Sequence, residues 1–251
     1  MSTDPVIVTP ERKGDPQQLN RYAYVRNNPL RLVDSTGETL QLSGDLDTDM
    51  NMLCGIVGKD NCDRIKFDAN RNVSFDTTGI DLSKNEGANL INELVGSNNV
   101  YGLAAGTSID TAGGLVPVLG TANIPDGFDQ THAPEFSLPP KSKVTDQIVI
   151  NSTAGLADTK GRLIFAAALA FHELAEAYAK IDEGKGYNDN PDMSVVNGTR
   201  VQVGAPGALQ IGAHHEARLR EMTLRNQLPS FAESGVAGDE PIHQIIRDPH
   251  N

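Results

Sequence analysis

The chain of 251 residues carries 33 acidic and 21 basic side chains, which gives a formal net charge of −12. This length suits one good-sized globular domain with a smaller appendage. An acidic surface repels phosphate backbones and anionic lipids, so the charge disfavours nucleic acid or a membrane surface as the main partner. No apolar run of about 18 residues is present, so no membrane span is expected, and nothing after Met1 resembles a signal peptide.

Residues 1–38 differ from the rest of the chain because they combine turn signals with too little apolar surface to fold alone. The segment contains Leu19-Asn20-Arg21-Tyr22-Ala23-Tyr24-Val25-Arg26-Asn27-Asn28-Pro29 and, shortly after, Asp34-Ser35-Thr36-Gly37. This pattern resembles the end of the Rhs repeat-associated core domain, although that family usually has Pro where Ser35 stands. The resemblance implies an Rhs shell around a following toxin domain, secretion or delivery into a target cell by a bacterial secretion system, and a cognate immunity protein as partner.

The rest of the chain, residues 39–251, has the mixed order of strands and helices that is typical of an α+β domain. We expect helices over residues 45–57, 85–95, 162–181 and 208–227, and strands over residues 71–76 and 144–150. Glycine and proline predict a long irregular segment over residues 113–140 and a loop between the last two helices.

The two cysteines, Cys54 and Cys62, say little about the compartment in which the protein works. They could pair across a short loop, but two thiols in a reducing compartment stay free. Free thiols are therefore the expectation.

The helix predicted over residues 162–181 contains His172-Glu173-Leu174-Ala175-Glu176. His172 and Glu176 are four residues apart and so share one helix face, with Glu173 beside them. Zinc hydrolases use this order: a ligand, a carboxylate that polarises the metal-bound water, and a second ligand one turn later. Glu176 stands where these enzymes usually have His, and carboxylate oxygen is a less common zinc donor.

A third ligand has to come from elsewhere, and the helix predicted over residues 208–227 offers His214, His215 and Glu216. Glu216 is the first choice and His215 the second. Neighbouring residues on a helix point about 100° apart, so both are not expected to bind one ion directly. The other side chain, or His214, would then support a ligand.

A second resemblance concerns about residues 70–229, with the metal-site core within about residues 142–229. The His-Glu-Leu helix and the downstream Glu216 to Arg225 segment resemble the metallopeptidase-type toxin domains that follow Rhs cores. Those domains are similar to the effector metallopeptidases of type III secretion. They carry His-Glu-Leu-x-His-Ala and, later, an acidic residue five positions before Glu-Asn-x-x-Arg. Here Glu216 takes the acidic place, Glu221 and Arg225 match, and Met222 replaces Asn.

The resemblance implies a zincin-like fold with a small mixed sheet and two long helices, and a zinc-dependent peptidase that acts on a protein or peptide. It also implies His172 and Glu216 as zinc ligands and Glu173 as general base. Zincins hold substrate as an added strand, and residues 144–150 are the expected edge for it. Two carboxylates on the ion would make the bound water less acidic than in a site of neutral ligands.

Other interpretations of the same residues stay open. His172 could be a structural histidine bonded to Glu176 or Glu216, and the glutamates could form a solvated face. However, residues 163–171 are almost wholly apolar, which predicts a buried helix, and buried charges without a cation are costly. A catalytically inactive zincin-like binding module and a metal-dependent nuclease toxin that uses His214 and His215 are the alternative functions.

Overall fold

A computed structural model describes residues 40–111, 114–125, 144–187, 190–191, 193–196, 199–202, 209–239 and 243–245. All of them belong to one unit that spans Glu38–Asn251. The predicted Rhs-core tail, residues 1–38, lies outside the described residues, so its identity stays a prediction.

Five α-helices lie in the described ranges: α1 Leu46–Val57, α2 Glu86–Val95, α3 Ala166–Ile181, α4 Ala213–Gln227 and α5 Pro229–Glu233. Short 3₁₀ turns occupy Lys59–Arg64, Leu82–Lys84 and Ala237–Asp239. No helix in these ranges is long and apolar enough to cross a bilayer.

The strands are β1 Leu40–Leu42, β2 Ile65–Phe67, β3 Val73–Phe75, β4 Tyr101–Ala105, β5 Ser108–Thr111, β6 Gly114–Pro117, β7 Thr121–Pro125, β8 Asp146–Ile150, β9 Asn190–Pro191, β10 Met193–Val196, β11 Thr199–Gln202, β12 Leu209–Gln210 and β13 His243–Ile245. Five of them form a mixed sheet in the order β1-β4-β8-β7-β13. Every neighbouring pair is parallel except β7 and β8, which run antiparallel. The α+β class and the small mixed sheet are therefore as expected.

Two of the predicted helices begin at polar caps that the sequence displays. Asp45 Oδ1 accepts a hydrogen bond from Thr48 N at 2.9 Å at the start of α1, and Asn85 Oδ1 accepts one from Ala88 N at 2.9 Å before α2. Such caps satisfy backbone donors that have no partner within the helix. The helix predictions for residues 45–57 and 85–95 are confirmed to within one residue.

The two long helices begin later than predicted because other contacts hold their leading residues. Residues before α3 stay extended, since Asp158 Oδ1 accepts hydrogen bonds from the backbone of Lys160 and Arg162, each at 2.9 Å. Residues before α4 are held as a strand, since β12 pairs with β9. Local contacts thus override the helical propensity of both leading segments.

Three other expectations are wrong. Strand β8 pairs with β4 on one side and β7 on the other, so it offers no open edge to a substrate. Strands β6 and β7 both fall inside the segment expected to be irregular, whereas residues 126–143 lie outside the described ones. Cys54 and Cys62 form a disulfide, because the end of α1 and the following 3₁₀ turn bring their Cα atoms to 4.7 Å.

Helix α3 lies in the core, where it packs on the sheet at β8 and against α1 and α4. Its apolar residues from Ala168 to Ala177 are buried, and α1 crosses it closely enough that a Cβ at Gly55 would lie 2.6 Å from Ala167 Cβ. Alanine on α3 allows this approach, because a small side chain keeps neighbouring helices near. The polar residues of the candidate site lie on the same helix, so they are buried in the interior as well.

Candidate metal centre

Two helices bring the candidate ligands together. On α3, His172 and Glu176 share one face and are only 2% and 1% exposed. On α4, the buried Ala217 and Glu221 mark the face that is turned inward, and His214 lies one turn before Ala217 at its border. The pairing of these two faces places an imidazole of α4 against the imidazole and carboxylate of α3.

The three side chains form a compact triangle. His172 Nε2 lies 3.3 Å from His214 Nδ1, and His214 Nδ1 lies 3.0 Å from Glu176 Oε2. The third side, from His172 Nε2 to Glu176 Oε2, is 3.9 Å. Zinc bonds of about 2.0–2.1 Å in tetrahedral geometry put donor atoms roughly 3.3 Å apart. The triangle therefore matches three of the four ligand positions around one such ion.

Glu221 supports His172 from the side away from this triangle. Glu221 Oε2 lies 3.3 Å from His172 Nδ1. The two carboxylate oxygens also accept hydrogen bonds from the backbone of Ala237 at 2.8 Å and Gly238 at 3.2 Å. A carboxylate on Nδ1 keeps the proton there and leaves Nε2 with its lone pair for a metal. Metal-binding histidines commonly have such a partner.

The segment that follows α5 closes over His172. A Cβ at Gly238 would lie 2.9 Å from His172 Cε1, so only glycine leaves room for the ring. Arg225 Nη1 donates to Gly235 O at 3.1 Å and lies 3.8 Å from Glu221 Oε1. The guanidinium thus ties the Glu221 carboxylate to this segment.

The charges around His172 favour its protonated form when no metal is bound. Burial of the imidazole opposes protonation, but the contact with Glu221 and the charges of Glu173 and Glu176 outweigh it, so the pKa of His172 is raised. A metal ion has to displace that proton, which links metal affinity to pH.

Glu173 is turned toward the sheet rather than toward α4. It is one residue after His172, so it points about 100° away from it, and it is 3% exposed. Thr121 Oγ1, at the start of β7, donates a hydrogen bond to Glu173 Oε1 at 3.0 Å. The sheet thereby fixes the orientation of the carboxylate predicted as general base.

A lysine and a further buried carboxyl lie beside Glu176. Lys180 Nζ is 3.2 Å from Glu176 Oε1. Burial raises the pKa of Asp146 to about 6, against the opposing effects of Lys180 and of a hydrogen bond from Asn123. Neither Asp146 nor Lys180 was among the sequence-predicted site residues. Asp146 reaches the site through the packing of α3 on β8, whereas Lys180 lies one turn after Glu176 on α3 itself.

The structure does not bring Glu216 or His215 into the triangle. Glu216 Oε2 lies 3.5 Å from Lys185 Nζ, and His215 is exposed. His214, predicted as a supporting residue, stands at ligand distance instead. The reason is helix register: the buried stripe of α4 is set by Ala213, Ala217 and Leu224. On a helix with 3.6 residues per turn His214 and Glu216 lie equally far from that apolar stripe, on its two sides, so the stripe alone does not distinguish them. The fourth buried residue, Glu221, lies on the side of His214.

His214 also forms the outer edge of the cluster. Its side chain is 32% exposed, whereas those of His172 and Glu176 are buried. The Tyr187 ring lies 5.4 Å from the His214 ring. Gly186 O and Tyr187 O accept hydrogen bonds from Ala213 N at 2.8 Å and His214 N at 3.2 Å, so the loop after α3 is fixed to the start of α4. The cluster is therefore open to solvent on the side of His214.

Comparisons with known proteins add no assignment. No protein-family model matches the chain, and neither a curated protein nor a solved structure matches it detectably. What can be said of function therefore rests on the residues and their geometry.

Proposed function

We propose that residues 39–251 form a zinc-dependent peptidase with a zincin-like arrangement, carried as a toxin behind an Rhs-type shell. The observation that carries the peptidase proposal is the triangle of His172, Glu176 and His214 with Glu173 next to it in sequence. The Rhs origin, the delivery by a secretion system and the cognate immunity protein rest on the resemblance of residues 1–38.

The proposed ligand atoms are His172 Nε2, Glu176 Oε2 and His214 Nδ1, which all lie within 4.8 Å of one another. Two nitrogens and one oxygen are the donor set that catalytic zinc takes in several peptidases, with the fourth position left for water. Bound zinc supplies a Lewis acid and lowers the pKa of a coordinated water. With His214 in the place expected for Glu216, one carboxylate rather than two would hold the ion.

The chain's own residues supply the proton transfers and the orientation. Glu173 accepts a proton from the attacking water and passes it to the leaving amine, as a general base and then a general acid. Thr121 holds one oxygen of that carboxylate in place. The Glu221 carboxylate, 3.3 Å from the Nδ1 of His172, would orient the imidazole. Tyr187, beside the exposed edge of His214, would then lie next to a bound substrate.

The test is a cleavage assay with zinc-loaded protein and a library of fluorescence-quenched peptides, with fragments identified by mass spectrometry. Wild-type protein should cleave a subset of peptides, and Glu173→Gln should bind zinc but cleave at least about a hundredfold more slowly, as expected for loss of a general base. Equal, background-level rates for both zinc-loaded proteins would contradict the peptidase proposal and favour an inactive binding module. Cleavage of RNA or DNA in a parallel incubation would favour the nuclease alternative.

A further inference from the structure

The two oxygens of Glu176 lie in different surroundings. Oε2 faces the triangle, 3.0 Å from His214 Nδ1 and 3.9 Å from His172 Nε2. Oε1 faces the other way and lies 3.2 Å from Lys180 Nζ. Lys180 is four residues after Glu176, one turn further along α3, so the helix itself sets this contact.

We propose that Lys180 is a positioning residue that restricts Glu176 to a single oxygen donor and thereby selects zinc-like ions over larger, oxygen-preferring ones. This inference rests on the zinc site proposed above. With Oε1 paired to an ammonium group, Glu176 offers the metal one oxygen, much as the histidine of a His-Glu-x-x-His motif offers one nitrogen.

Coordination chemistry makes the number of donated oxygens important. A carboxylate that binds through both oxygens adds a fifth donor and suits ions such as Mn²⁺ and Ca²⁺, which accept many oxygen ligands. Zinc at catalytic sites prefers three protein donors and an open position. A pairing that occupies one carboxylate oxygen therefore keeps the coordination number low and the fourth position open.

The wider charge distribution is consistent with this role. Lys180 also lowers the pKa of Asp146 through its charge, so the ammonium group acts on a second buried carboxyl group as well as on Glu176. Its side chain is 24% exposed, which leaves the stem packed against the protein and the charge held near Glu176. An ion pair at the protein surface contributes little to stability. The partner of Lys180, in contrast, is the buried carboxylate of Glu176.

The experiment measures metal binding alone, with Co²⁺ as a spectroscopic probe and with Zn²⁺ and Mn²⁺ in chelator competition. The proteins are full-length wild type, Lys180→Met, Lys180→Arg and the control Lys185→Met. Lys185 has similar exposure and is paired with Glu183 and Glu216 outside the triangle. Methionine keeps an apolar stem of similar length, and thermal unfolding with circular dichroism confirms that each variant is folded.

Wild type, Lys180→Arg and Lys185→Met should show the intense visible absorption of four-coordinate Co²⁺. Lys180→Met should show the weaker absorption of higher coordination, with the ratio of Mn²⁺ to Zn²⁺ affinity raised by about tenfold or more. Identical spectra and identical affinity ratios in folded Lys180→Met and wild type would overturn the role of Lys180. Absence of Co²⁺ and Zn²⁺ binding in wild type would instead overturn the zinc site, and with it this inference.

Discussion

Replacement of Glu221 by Gln separates support of the metal site from support of the fold. The carboxylate lies 3.3 Å from His172 Nδ1 and accepts hydrogen bonds from Ala237 N and Gly238 N. Glutamine has the same shape as glutamate but only one acceptor oxygen. Its NH₂ group therefore has to face one of the groups that donate to the Glu221 carboxylate. It also lacks the negative charge that increases the basicity of the imidazole.

Two losses follow from this change. Removal of the carboxylate behind a metal-binding histidine lowers metal affinity by roughly 10- to 100-fold, which corresponds to about 1.4–2.7 kcal/mol. Loss of one hydrogen bond between a backbone donor and a buried charge lowers the free energy of unfolding by roughly 1.5–3 kcal/mol. Zinc affinity is measured by competition with a chromophoric chelator, and stability by urea unfolding of the metal-free protein.

Asp158→Asn is the matched control for this substitution. Asp158 is also a buried carboxylate that accepts backbone hydrogen bonds, from Arg162 N at 2.9 Å and from Val236 N at 3.2 Å, and it does not belong to the metal triangle. Its replacement should lower stability by at least a similar amount and leave zinc affinity unchanged. The account is refuted if Glu221→Gln, like the control, lowers stability but leaves zinc affinity unchanged, because Glu221 would then serve only to hold the segment after α5.

Two further predictions concern the other buried polar groups. Thr121→Val should lower the peptidase kcat by about tenfold, because it removes the hydrogen bond to Glu173. Its zinc content and KM should stay near those of wild type, and Thr121→Ser, which keeps the hydroxyl group, should have a kcat near that of wild type. An unchanged kcat in Thr121→Val would show that the contact only supports packing. Since the folded-state pKa of Asp146 is about 6, above the usual value of an unfolded aspartate, the stability it contributes is present below about pH 4 and lost as pH rises through 6. Urea unfolding of the metal-free protein should show Asp146→Asn gaining up to about 3 kcal/mol relative to wild type over that interval, whereas an equal pH slope in both proteins would contradict the raised pKa.

Local signals in the sequence predict where helices begin, but they do not predict which strands lie next to each other in the sheet. Asp45 and Asn85 mark helix starts because their side chains satisfy backbone donors within three residues. The position of β8 depends instead on strands β4 and β7, which are distant in sequence, and an apolar run does not specify whether its strand is central or at an edge.

One missed element had a local signal. Strands β10 and β11 pair across the dipeptide Asn197-Gly198, with Val196 opposite Thr199. An Asn-Gly pair between β-branched residues is a strong indicator of a two-residue hairpin. The glycine and proline residues around it led instead to the expectation of a plain loop.

The candidate site shows the same division between local and tertiary information. The spacing of His172 and Glu176 is a property of one helix, so the sequence alone places them together. The choice between His214 and Glu216 depends on how α4 is rotated against α3, which only the packing of the two helices decides. The contact of Lys180 with Glu176 follows from helix spacing and was available from the sequence.

The central claim is that His172, Glu176 and His214 bind one zinc ion, and elemental analysis of zinc-loaded, desalted protein tests it most directly. Wild type and Glu216→Ala should each retain about one zinc per chain, while His172→Ala and His214→Ala should lose most of it. Loss of zinc from Glu216→Ala with retention by His214→Ala would contradict the ligand set, and a wild-type protein without zinc would contradict the metal site itself.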